Sequence, residues 1–155
     1  MATKSGPAAN TPERRAGSRN LVDKLTAARA EVLTLFCKVA GLEPFKDNQA
    51  TKHSPEVLQE FCQLLVDYIA AGHFSLYERI VNGVERRRNI AKLAEGLYPR
   101  IAQTTEAALA FNDKYDTEEQ RDEAPDLGQD LSHLGEQLEL RMQLEDQLLK
   151  ALLSR

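Results

Sequence analysis

The sequence predicts an all-α protein: an antiparallel four-helix-type bundle with an additional short helix and a disordered N-terminal leader. Three observations carry that prediction. Apolar residues recur in alternating steps of three and four along most of the chain, and no strand pattern competes with them. Only 8 Gly and 6 Pro are available for turns among 155 residues. Leu, Ala, Glu and Arg dominate, side chains that lose little rotamer freedom in a helix. Short connections between such helices favour antiparallel neighbours.

Residues 1–17 are rich in Ala, Gly, Pro, Ser and Thr and read as a leader that cannot bury enough surface to offset ordering entropy. Residues 18–155 then form a single domain, long enough for a continuous core. The first predicted helix spans 18–40, with Ser18 as N-cap and Gly41 at C′. Its stripe is Leu21, Leu25, Ala28, Val32, Leu35 and Val39. Residues 42–53, with Pro44, Asp47 and Asn48, read as a loop.

The second helix opens on Ser54, Pro55 and Glu56, a strong start signal, and its stripe is Leu58, Phe61, Leu65 and Tyr68. Gly72 interrupts it as a C-cap or a tight kink. The additional short helix follows over 73–88, with His73, Tyr77, Ile80 and Val84 on one face. The next long helix, 89–115, turns Ile90, Ala94, Leu97, Ile101, Ala108 and Phe111 inward, and Pro99 is expected to kink or split it. Residues 116–126 form a solvated acidic connector, and the last helix spans 127–153.

Charge and cysteines bound the function. A net charge of −4 argues weakly against direct nucleic-acid binding and suits a basic protein partner better. Cys37 and Cys62 sit among apolar residues of helical patterns and read as small buried hydrophobes in a reducing compartment. No apolar run approaches a membrane span of about 20 residues. The opening MATKSGPAAN lacks the apolar region of a secretory signal, so the expectation is a cytoplasmic protein.

The last helix breaks its own pattern. Steps of four and three from Leu127 give Leu131, Leu134, Leu138, Arg141, Glu145, Leu148 and Leu152. Two charges therefore stand at inward positions, four residues apart on one face. A buried charge without a partner is costly, so a polar cluster inside the bundle is expected: His73, Tyr77, Glu78, Arg141 and Glu145. The alternative is a salt bridge at the bundle edge with packed stems and wet heads.

Chemistry-bearing readings are weaker. Di-iron bundles use Glu-x-x-His pairs, and none occurs here; the nearest match is Asp130-x-x-His133. A histidine phosphotransfer bundle or a metal site centred on His73 is the alternative function, but an inward His73 suits a poised nucleophile badly. His53 reads as a solvated loop residue. No hydrolase, Cys–His or phosphate-loop signature is present, so the chain reads as a non-enzyme without cofactor or metal. Glu56, Glu60, Gln63 and Asp67 form a polar, acidic strip on the outward face of the second helix. Such strips are usually only solvated; the functional alternative is a docking surface for a basic helix.

The run FCQLLVDYIAAGHFSLYERI, residues 61–80, closely resembles the signature of the Rsd/AlgQ family, regulators of sigma D. NLVDKL at 20–25 resembles the family's first-helix opening, and LSHLGEQLELRMQLEDQLL at 131–149 its C-terminal helix. The family often carries a Trp just after that opening, where Leu25 stands here. The resemblance implies an anti-sigma factor that takes no part in catalysis. It would bind region 4 of the principal sigma factor one-to-one, block its −35 promoter and core polymerase contacts, and favour alternative sigma factors in stationary phase. It would contact neither nucleic acid nor membrane. By motif position, Asp67 is the first expected sigma contact, Phe74 an apolar anchor beside it, and Asp23 and Glu60 further candidates. Arg141 and Glu145 are assigned to support of the fold.

Overall fold

The computed structural model describes residues 7–42, 54–77 and 88–153, with side chains from residue 19 onward. Helix α1 (Pro7–Ala40) is followed by α2 (Pro55–Gly72), which runs directly into a π-helical turn, His73–Tyr77. Helix α3 (Arg88–Lys114), a short α4 (Glu118–Glu123) and α5 (Leu127–Leu153) complete the described chain. The predicted 42–53 loop (from residue 43) and residues 78–87 of the additional helix, including Glu78, Ile80 and Val84, lie outside the described residues.

Contacts between the long helices give their directions. Phe61 meets Phe111 and Tyr77 meets Tyr98, so α2 runs antiparallel to α3; Phe36 meets Phe61, while Arg29 and Tyr68 meet at Glu145, so α2 runs antiparallel to α1 as well. Thr105–Arg141 and Lys114–Asp130 make α3 and α5 antiparallel. Arg29–Asp146 and the close approach of Phe36 to Gly135 do the same for α1 and α5. The result is an up-down-up-down four-helix bundle, an all-α fold as predicted. Among the described residues no helix is long and apolar enough to cross a membrane.

The ends follow their sequence signals. Gly41 has φ 71°, and Leu42 N–H donates to the Cys37 carbonyl at 2.9 Å, the left-handed cap expected at C′. The Ser54 hydroxyl accepts from Val57 N–H at 3.4 Å, with Pro55 at the first helical position. The predicted inward stripes are buried, from Leu21 to Val39, from Leu58 to Tyr68 and along α5; only Ala28 of the first stripe is half-buried.

Several expectations need correction. Helix α1 begins at Pro7 rather than at Ser18, because extending a packed helix into Ala, Glu and Arg costs far less than nucleating one. Residues 1–6 of the leader lie outside the described residues. Pro99 does not split α3, which is one helix across it. A proline inside a helix costs about 3 kcal/mol. Burying Leu97 and Ile101 on either side offsets it, at about 1.5–3 kcal/mol each. The acidic connector contains α4, capped where the Thr117 hydroxyl accepts from Gln120 N–H at 3.1 Å. Gly72 is no left-handed cap; it is the buried last residue of α2, and the chain continues from it directly into the wide turn.

Candidate functional site

The centre of the bundle is polar, and Glu145 is its hub. The Glu145 side chain is 0% exposed and that of Arg141 1%. Oε1 of Glu145 accepts from Arg29 Nη2 at 3.1 Å and from the Tyr68 hydroxyl. Oε2 accepts from the Tyr77 hydroxyl at 3.0 Å and from Arg141 Nε at 3.1 Å. Both oxygens are thus engaged by two donors each.

The charges are balanced outward from there. Arg141 Nη1 donates to the hydroxyls of Thr105, at 2.7 Å, and Thr104, at 3.2 Å. Both hydroxyls donate in turn to the Ile101 carbonyl, a back-bond that helical threonines readily make. The Arg141 guanidinium also stands 5.6 and 5.7 Å from the ring centres of Tyr68 and Tyr77. Arg29 reaches the surface and donates to Asp146 at 2.8 Å. Two guanidinium groups therefore face two carboxylates, and the cluster is neutral as a whole. Burial, reinforced by the Glu145 charge, raises the pKa of Tyr68 and Tyr77, so both remain neutral donors.

Every long helix contributes. Arg29 comes from α1, Tyr68 from α2, Thr104 and Thr105 from α3, and the ion pair from α5, while Tyr77 closes the wide turn. Sliding any helix by one turn would take a hydrogen-bond partner away from a buried charged group, so the cluster favours a single register.

Of the residues expected here, Tyr77, Arg141 and Glu145 come together. His73 does not: it is exposed, its ring packed edge-on against Phe74 at 4.8 Å. The inward stripe of α2 passes through Gly72, leaving His73 about 100° around the helix. The outward His73 also removes the geometric objection to a reactive histidine. Glu78 lies outside the described residues. Among the described residues no group of three or more His, Cys, Asp or Glu is placed to hold a metal ion.

Sequence reasoning missed Tyr68, Arg29, Thr104 and Thr105 as members. Tyr68 carried a signal, because a tyrosine on an inward stripe needs a partner for its hydroxyl. Thr104 did too, standing three residues after Ile101 and four before Ala108 on the inward face of α3. Arg29, at the edge of its stripe, carried none.

Gly72 owes its identity to this cluster. A Cβ there would stand 3.2 Å from Arg141 Nη2, 3.2 Å from the Tyr77 ring and 3.4 Å from Glu145 Oε2. The glycine makes room for a guanidinium held among α2, the wide turn, α3 and α5.

Outside, Glu56, Glu60, Gln63 and Asp67 are all exposed on α2, and Gln63 donates to Asp67 at 3.2 Å. Ala30 and Thr34 of α1 line a shallow groove of about 550 Å³ with Glu60 and Gln63. Asp23 is exposed on the same face of α1, seven residues before Ala30. Phe74 is 68% exposed. It borders a cleft of about 440 Å³ that is also lined by Tyr98, Leu109 and, at its floor, Arg141.

Residues 6–153 match the family described as "Regulator of RNA polymerase sigma(70) subunit, Rsd/AlgQ". The chain is similar to proteins named Regulator of sigma D. That of Yersinia enterocolitica is 38% identical over 143 residues, covering 89% of this chain and 83% of the relative. That of Yersinia pestis is 38% identical over 143 residues, covering 89% and 82%. That of Shigella dysenteriae is 36% identical over 141 residues, covering 90% and 88%.

Proposed function

The chain belongs to the Rsd/AlgQ family, non-enzymatic regulators of the RNA polymerase sigma(70) subunit, and from that premise we propose that it is an anti-sigma factor that binds region 4 of the principal sigma factor. Binding is one-to-one and takes place in the cytoplasm, where the polymerase works. It covers the surface with which region 4 reads the −35 promoter element and docks on core polymerase, so alternative sigma factors gain access.

The observation that supports this reading best is the exposed edge formed by Glu60, Asp67 and Phe74. A helix-turn-helix that grips DNA phosphates is basic, and an acidic strip complements it in charge, which sets orientation and association rate. Phe74 adds what charge alone lacks, an aromatic side chain that can be fully desolvated at an interface centre. Asp23 extends the acidic surface across the groove onto α1.

The test is titration calorimetry of the full chain with isolated region 4 at low and high salt. A one-to-one complex that weakens as salt rises is expected, because exposed charge pairs are screened beyond about 10 Å. Asp67→Ala should weaken the low-salt complex by about tenfold while leaving the thermal midpoint unchanged, since Asp67 is exposed. A folded wild-type chain that forms no complex at low salt would overturn the reading.

A further inference from the structure

The buried cluster and the exposed ring of Phe74 meet in one short stretch of chain. Tyr77 is the last residue of the five-residue wide turn, and its hydroxyl donates to Glu145 at 3.0 Å. Phe74, three residues earlier in the same turn, is 68% exposed. The turn is fixed at its other end as well, where Gly72 lets Arg141 and the Tyr77 ring approach to 3.2 Å of its missing Cβ.

The extra residue in the turn has a geometric consequence. In a regular α-helix, Gly72 and Leu76 share a face and Tyr77 stands about 100° away from it. Here Leu76 and Tyr77 are both buried, at 0% and 3% exposure. The wide turn therefore brings Tyr77 back to the carboxylate, while His73 and Phe74 stay on the solvent side. π-turns are rare and are found frequently at functional sites. A turn of this kind needs a fixed point, and the hydroxyl bond into Glu145 supplies one.

We propose that the buried Glu145–Arg141 pair positions the docking edge: through the Tyr77 hydroxyl and the close approach at Gly72, it holds the wide turn in the conformation that presents Phe74 to the partner. The inference rests on the sigma-binding reading and deepens it, making Tyr77 and Gly72 positioning residues. A turn released from Glu145 can relax toward regular helix, which rotates Phe74 relative to Tyr98 and Leu109 along the cleft it borders.

Two substitutions on the same carboxylate separate positioning from stability. Tyr68→Phe and Tyr77→Phe each remove one buried hydroxyl from Glu145 and keep the ring. Only Tyr77 belongs to the wide turn; Tyr68 lies within α2. Both variants should lower the thermal midpoint to a similar extent. In titration of the full chain with isolated region 4, Tyr77→Phe should weaken binding about tenfold and Tyr68→Phe by less than about twofold. In a Phe74→Ala background, Tyr77→Phe should add little, because it acts through that ring. Equal weakening by the two tyrosine variants, no weakening by either, or additive losses with Phe74→Ala would overturn the proposal. If the wild-type chain forms no complex, the sigma reading fails first, and amide hydrogen exchange then decides about the turn. Faster exchange at 73–77 in Tyr77→Phe than in Tyr68→Phe supports the pin, and equal exchange removes it.

Discussion

In the middle of the bundle, Glu145 receives Arg29, Arg141 and two tyrosines; at its end, Asp130 receives Lys114 at 2.6 Å and one tyrosine, Tyr115. Each is a carboxylate bound by cationic side chains and tyrosine hydroxyl, but the surroundings differ. The Glu145 and Arg141 side chains are 0% and 1% exposed, whereas those of Lys114 and Asp130 are 47% and 27%. Water near Lys114 can replace either partner at little cost. Around Glu145 nothing replaces a lost donor or acceptor, so removing one group strands the others. An ion pair's contribution is thus decided by what remains when it is broken.

That contrast gives the largest expected effect. Glu145→Gln keeps the shape but removes the charge, leaving Arg141 buried without a counter-ion and Arg29 with Asp146 alone. The amide NH2 would also face donors on one side of the cluster. A loss of about 3–5 kcal/mol is expected in urea unfolding, the range for breaking a buried pair from one side. A loss below about 1 kcal/mol, the range of exposed pairs, would mean that the two clusters are equivalent and the comparison is wrong.

Glycine substitutions sharpen the same contrast at the next scale. Helical Gly→Ala ordinarily stabilises, by up to about 1 kcal/mol. Gly96 in α3 has nothing within 4 Å of a built Cβ, so Gly96→Ala should show that gain in thermal unfolding. At Gly72 the Cβ would press on Arg141 and Tyr77 at 3.2 Å, and both are held by hydrogen bonds that resist a shift. Gly72→Ala should therefore lose the gain and fall below wild type by about 1 kcal/mol, within the range for overpacking. A stabilised Gly72→Ala would show that the cluster yields easily and is not tightly packed.

How far these features could be read in the sequence depends on where the determining information lies. Arg141 and Glu145 were legible because a regular stripe in one helix makes a charged interruption visible. Tyr77 was legible in the same way. Gly72 was misread as a break, since a glycine ending an apolar pattern usually caps; its reason is a guanidinium supplied by another helix, invisible in local sequence. His73 was misplaced for a different reason: it was counted on one face with Tyr77 across the wide turn. A wide turn shifts the register by one residue, and neither composition nor period announces it. The short α4 could have been found, because Thr117 with Gln120 three residues on is a capping pattern. For the exposed edge, sequence supplied the residues and their shared face, and family resemblance supplied the reason to look there.

The smallest effect belongs to the exposed cluster. Burial works to raise the pKa of Asp130, but hydrogen bonds from Lys114 and Tyr115 outweigh it, and the carboxyl sits below its ordinary 3.8. A carboxyl depressed by folding contributes stability that is present above its unfolded value and lost as pH falls through its folded one. Lys114→Ala removes part of that depression and leaves the Tyr115 bond in place. Near pH 7 the urea midpoint should drop only slightly, and added salt should narrow the gap, because Lys114 is open to solvent. As the pH falls below the ordinary carboxylate range and Asp130 takes up its proton, the variant and wild type should converge. A neutral-pH loss as large as that of Glu145→Gln would instead make the end of the bundle as dependent on its charges as the middle. Burial would then no longer explain the difference between the two clusters.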